Sequence, residues 1–179
     1  MSAKFWFFIV IVLFIISPSV FSQDDPVEFG EISKEQYMLE SQEFDTTAEA
    51  VVICDFGASN RNEFTHIVRI KILKESGYDW ANLMFRSYSK GRIRGFTYNL
   101  EEGEIIKTKL TNSDIARDKV YWHQLRVAMP NVKVGSVIDV EFTHEMIPFE
   151  WYFQREIPVL HSELRIGTTP DIAYQRNSF

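Results

Sequence analysis

The chain has a single cysteine, Cys54. No disulfide can form within it, so an oxidising compartment is allowed but not exploited, and stability must come from the apolar core. Glycine is scarce as well, at 8 of 179 residues. No phosphate loop, dinucleotide fingerprint or Gly-x-Ser-x-Gly elbow occurs, and each of those needs glycines to present backbone N–H groups or a strained nucleophile. A surplus of positive charge is missing too. With 25 Asp and Glu against 19 Lys and Arg, the composition argues against a general nucleic-acid binder. Internal repeats and low-complexity segments are absent.

What is present begins with one apolar run, Phe5 to Ile16, behind the single positive charge of Lys4. The run is shorter than the roughly 20 apolar residues that span a bilayer. A basic start, a short apolar stretch and then small residues is the layout of a secretory signal peptide. Val20 and Ser22 place the expected cleavage after Ser22, so residues 1–22 are read as signal peptide. The alternative is an uncleaved anchor that runs on through Val20 and Phe21, bent at Pro18. Cleavage removes one Lys and no acid, which leaves 157 residues with 18 basic and 25 acidic side chains and a formal charge of −7. That length suits one domain. The expected location is periplasmic or extracellular, with no membrane span after cleavage.

Residues 23–47 read as a linker and short helix. Ser33 with Gln36 three residues on makes a capping box, and Ile32 and Tyr37 occupy the hydrophobic-staple positions. From Ala48 the apolar period becomes two. Ala50, Val52, Cys54 and Phe56 are expected on one face of a strand. Phe64, His66, Val68, Ile70 and Ile72 line the next, with Thr65, Arg69 and Lys71 pointing the other way. Trp80 to Tyr88 reads as a third strand. Phe96 to Leu100 and Ile106 to Leu110 form a hairpin around Glu101-Glu102-Gly103-Glu104. Thr111 to Lys119 is polar, with Ser113 or Asp114 as candidate caps of a helical turn, and Tyr121 to Met129 alternates again. In Val137 to Met146, the residues Ile138, Val140, Phe142 and Met146 oppose Asp139, Glu141, Thr143 and Glu145, the pattern of an antiparallel sheet with one wet face. Trp151 to Phe153 and Leu160 to Ile166 are read as the last strands. The expected fold is mainly β, an antiparallel β-sandwich over residues 48–167 with a short N-terminal helix, followed by a polar tail at 168–179.

Catalytic constellations are thin. Cys54 lies among Val51, Val52, Ile53 and Phe56, the setting of a small buried hydrophobe rather than a reactive thiolate. The histidines at 66, 123, 144 and 161 lack zinc-motif spacing. His66 and His144 fall on apolar strand faces, where a satisfied core histidine is the default. Glu101, Glu102 and Glu104 sit on a hairpin tip, where solvation leaves nothing to separate their pKa values. The chain is therefore expected to be no enzyme and to need no cofactor or metal. Two groups are candidates for ligand or partner contact. One is the basic segment Lys90, Arg92 and Arg94, with Lys107 and Lys109, set against its bland reading as a solvated face that discourages aggregation. The other is aromatic, Trp151 and Tyr152, with Trp80 and Trp122 as further stacking platforms for a glycan; core packing is the competing role for these rings.

Four stretches together carry a family likeness: Val68 to Leu73, the hairpin from Tyr98 to Leu110, Met129 to Ile138 (MPNVKVGSVI) and Trp151 to Leu160 (WYFQREIPVL). Over roughly residues 45–167 the chain resembles the domain of unknown function 3857. The resemblance implies an exported bacterial β-sandwich domain, commonly placed before a transglutaminase-like domain. It implies no catalytic residues of its own, since the family has none established. This sequence stops at Phe179, before any transglutaminase-like domain. The resulting expectation is a non-catalytic extracytoplasmic accessory or interaction module, whose partner is a transglutaminase-like domain, an envelope protein or a glycan. The alternative is a carbohydrate- or envelope-polymer-binding module.

Overall fold

The computed structural model describes residues 24–40, 45–60, 63–87, 91–118, 123–145, 147–148 and 150–167. The expected signal peptide and the tail from Thr168 lie outside them. Alternating apolar residues build a mainly β fold of two sheets. The strands are β1 (Ala50–Asn60), β2 (Glu63–Ile72), β3 (Asn82–Ser87), β4 (Arg92–Glu101), β5 (Glu104–Lys109), β6 (Ile115–Asp118), β7 (His123–Ala128), β8 (Val137–His144) and β9 (Ser162–Ile166). One sheet has the order β5-β4-β8-β2-β1-β9 and the other β3-β7-β6. All pairings are antiparallel except β1 with β9, which is parallel. Ala50, Val52, Val68, Ile70, Ile138, Val140 and Phe142 of the large sheet pack against Phe85, Leu125 and Val127 of the small one, and this apolar layer is the sandwich core.

The local signals act as their chemistry dictates. The Ser33 hydroxyl accepts from the Gln36 backbone N–H at 3.1 Å, and the Gln36 side chain accepts from the Ser33 N–H at 3.4 Å, which starts helix α1 (Lys34–Met38). Ile32 and Tyr37 pack in one cluster. The β4–β5 hairpin turns on Glu102 and Gly103, with φ of 52° and 87°, the left-handed pair that a two-residue turn requires.

Several expectations are corrected. Ala50, Val52, Cys54 and Phe56 do not share a face, because the register of β1 against β2 slips between Val52 and Cys54. The bulge leaves Ala50 and Val52 in the sandwich core and turns Cys54 and Phe56 to the opposite side, beside Val27 and Ile67. Trp80 belongs to a 3-10 turn, Glu75–Ala81, rather than a strand. The cap of the Asn112–Asp114 turn is Thr111, whose hydroxyl and backbone N–H both donate to the Asp114 carboxylate at 2.6 and 2.7 Å. The strand after that turn, β6, has no counterpart in the sequence reading. Trp151 to Phe153 is irregular, and the last strand is regular over Ser162–Ile166, with its pairing to β1 begun by a parallel bridge between Val159 and Val52. Trp122 and Met146 fall outside the described residues.

The largest correction concerns the face expected to be wet. Arg69, Lys71 and Asp139 are buried there, at 1%, 6% and 0% exposure. Residues 27–39, expected to be linker and helix, lie across this face and bring hydrogen-bond partners to its charges, although Arg69 Nε and Asp139 Oδ1 stay unpartnered among the described residues. Arg69 donates to Asp139 at 2.8 Å, to the Gln36 side chain at 2.6 Å and to the Glu28 carbonyl at 2.9 Å. The Gly30 N–H donates to Asp139 at 2.8 Å. Lys71 donates to the carbonyls of Tyr37 and Gly135 and lies over the Tyr37 ring. Burial pushes the Asp139 carboxyl up, against the pull of Arg69 and the Gly30 N–H, and pushes the Lys71 amine down to about 8.

Gly57 marks a close approach. A Cβ there would stand 2.7 Å from both the Phe64 and Trp151 rings. Gly57→Val should cost about 1–3 kcal/mol, read as a lower urea midpoint, with Trp151 displaced and its emission shifted to the red.

Candidate functional site

Chemistry-bearing side chains converge on the sandwich side of β1 and β2. The bulge aims Asp55 inward, and its carboxylate is almost fully buried, at 1% exposure. The register sets Asp55 beside Val68, and His66 two residues earlier on β2 reaches it. His66 Nε2 lies 2.6 Å from Asp55 Oδ1. From the loop before β9, Arg155 donates to Asp55 Oδ2 through its Nε at 3.0 Å and its terminal nitrogen at 2.6 Å. Burial works to raise the Asp55 carboxyl, but the hydrogen bond and charge of His66, with Arg155, outweigh it and hold the group below its ordinary range.

An aromatic cage surrounds the pair. The His66 ring meets Trp151 edge-on at 5.0 Å and Phe85 at 5.9 Å. His144 stacks on Phe142 at 4.8 Å and meets Phe64 edge-on at 5.4 Å. Burial, helped by the neighbouring His66, pushes His144 down to about 4 and keeps it neutral near pH 7.

Beside the cluster opens a cleft of about 460 Å³ between β3 and the inner face of β2, with Arg155 and Glu156 in its lining. Its floor is His66, Val68, Ile70 and Phe85, and Trp80, Glu49 and Asp79 stand on its wall. The Trp80 indole donates to Glu49 at 2.9 Å.

An aspartate-oriented histidine would serve as a general base if a nucleophile stood against its free nitrogen. Among the described residues the hydrogen-bond partner of His66 is Asp55. Cys54, adjacent in sequence, points to the other side of the sheet, where it is 1% exposed among Val27, Phe56 and Ile67. Burial pushes its thiol up to about 12, so at neutral pH it carries no thiolate. No group of three or more His, Cys, Asp or Glu suited to a metal ion occurs among the described residues.

The residues singled out from sequence are split by the sheet. Lys90 lies outside the described residues. Arg92 pairs with Glu63 at 3.0 Å, and Arg94 forks onto Glu141 at 2.6 and 2.9 Å while covering the Phe29 ring. Both arginine side chains stay exposed, each with its charge matched by a glutamate. Lys107 donates to the Gly30 carbonyl and lies over the Phe96 ring. Trp151 is on the other side, packed on Phe64 and His66, with its indole donating to Ser162 at 3.1 Å. Tyr152 is exposed and donates to Glu150 at 2.6 Å. The Asp55–Arg155 contact, 100 residues apart in sequence, was not anticipated. Its one local signal was an acid inside the apolar run Val51 to Phe56.

No family model and no curated protein matches the chain. Among solved structures it is similar to a protein from Parabacteroides distasonis described as a "putative protease", at 9% identity and a TM-score of 0.45. The likeness covers 53% of this chain and 22% of the other. This chain thus matches about a fifth of that protein's length. No helix among the described residues is long and apolar enough to cross a membrane.

Proposed function

We propose that the chain is a non-catalytic extracytoplasmic accessory or interaction module, of the kind resembled in its sequence and found before transglutaminase-like domains. The observation that carries this reading is the separation of the chemical parts. The oriented histidine lies on one side of the sheet, and the sole thiol is buried and protonated on the other. Asp55 is held by His66 and Arg155, and the result is a rivet that ties the loop before β9 to β1. With the thiol on the far side of the sheet, the cluster is read as a structural tie rather than a catalytic pair.

The glycan-binding alternative finds less support. Trp80 and Trp151 are half-buried and held by their indole N–H groups, which leaves Tyr152 as the exposed ring of the set that lies within the described residues.

Export is the testable half of the proposal. Expressed with its own leader, the protein is expected outside the cytoplasm, with Gln23 as its new amino terminus on Edman sequencing. An intact Met1 on a cytoplasmic protein would remove the extracytoplasmic reading.

A further inference from the structure

We infer that the cleft between β3 and β2 receives an extended, cationic segment of a partner protein, which adds as a strand to the open edge of β3. The inference deepens the interaction-module reading and rests on it. Three observations converge. First, β3 ends the order β3-β7-β6, so its second edge has no strand partner among the described residues. That edge lines the cleft through Asn82, Leu83, Met84 and Phe85. Unpaired strand edges accept extended segments through main-chain hydrogen bonds.

Second, the floor is apolar. Val68, Ile70 and Phe85 belong to the sandwich core and line the cleft as well, so alternate side chains of an added strand would find apolar contact. Met84 on the same strand is 53% exposed.

Third, the charge is one-sided. Asp79 and Glu156 stand exposed on the cleft with no ion pair among the described residues. Arg155 in the lining is already spent on Asp55, and the exposed Arg86 lies toward the other end of β3, outside the cleft lining. A segment that alternates basic and β-branched residues matches this lining. An acidic one meets like charge, and a wholly apolar one leaves both carboxylates unanswered.

The test uses two short synthetic peptides, one alternating Lys and Val, the other Glu and Val, titrated into the mature protein. The Lys–Val peptide is expected to bind, more weakly as salt rises, and to slow hydrogen exchange at β3. The double variant Asp79→Lys/Glu156→Lys, both exposed positions, should weaken it about tenfold. Reversing Glu102 and Glu104 on the hairpin tip should change nothing. Equal binding of both peptides, binding indifferent to the reversal, or no binding at all would overturn the inference. So would a dimer in light scattering that Asp79→Lys/Glu156→Lys dissolves, since the cleft would then hold a second copy. Export and the protection of Cys54 do not depend on these titrations, so the module reading fails or stands separately.

Discussion

Arg69→Met should destabilise the protein by about 3–5 kcal/mol, because it leaves the Asp139 carboxylate buried with its counter-charge removed. Arg69 is 1% exposed and bridges Asp139, Gln36 and Glu28, so the same change unfastens residues 27–39 from the large sheet. Chemical unfolding should show the loss as a lower midpoint, and hydrogen exchange should speed up first across the helix. The double change Arg69→Met/Asp139→Leu removes both charges and should recover most of the loss, since well-packed apolar residues often replace a buried pair at little cost. A single variant within about 1 kcal/mol of the parent would mean that the covering segment contributes little.

The second large effect is acid sensitivity centred on His144. Facing it are Phe142 from its own strand and Phe64 and His66 from β2, with Asp55 and Arg155 behind His66. Unfolded, the ring takes its proton near 6.5; folded, burial holds it off until about 4. Between these values the unfolded chain binds more protons, so stability falls as the pH drops through that window. Above pH 6.5 both states are neutral and the contribution is constant. Asp55, held low by its partners, adds a loss at still lower pH, as its carboxylate is forced to protonate. Asp139 is pushed the opposite way by burial, so the informative quantity is a difference. Relative to His144→Phe, the parent should lose about 2 kcal/mol more between pH 6.5 and 4. Parallel stability profiles would show that His144 protonates as readily in the fold as outside it.

What the sequence disclosed was local. A capping box needs residues three apart, a tight hairpin needs two left-handed residues, and the alternation of Val137 to His144 needs only its own length. Those features appeared where the residues implied. The misplaced ones depend on partners far along the chain. Arg69, Lys71 and Asp139 alternate like solvent-facing residues, and what buries them is a segment from the other end of the domain. Most of what that segment brings is main-chain, the Gly30 N–H and the Glu28 and Tyr37 carbonyls, and main-chain groups leave no mark in a residue pattern. The bulge after Val52 lies within the apolar run Ala50 to Cys54, so Asp55, an acid in an apolar setting, was the one compositional sign that the sides exchange there. The Asp55, His66 and Arg155 cluster has the same character. His66 was legible as a core histidine, and its partner on a distant loop was not.

The central claim is that thiol and histidine stand on opposite sides of one sheet, the observation on which the proposal of a non-catalytic module rests. Its most direct test is the rate at which iodoacetamide alkylates Cys54 in the native protein, followed by mass spectrometry across neutral to alkaline pH. The account predicts no modification of the folded protein on a timescale over which the urea-unfolded chain is fully labelled. Rapid native labelling with a pH midpoint near neutrality, abolished by His66→Ala, would contradict it and restore a catalytic cysteine.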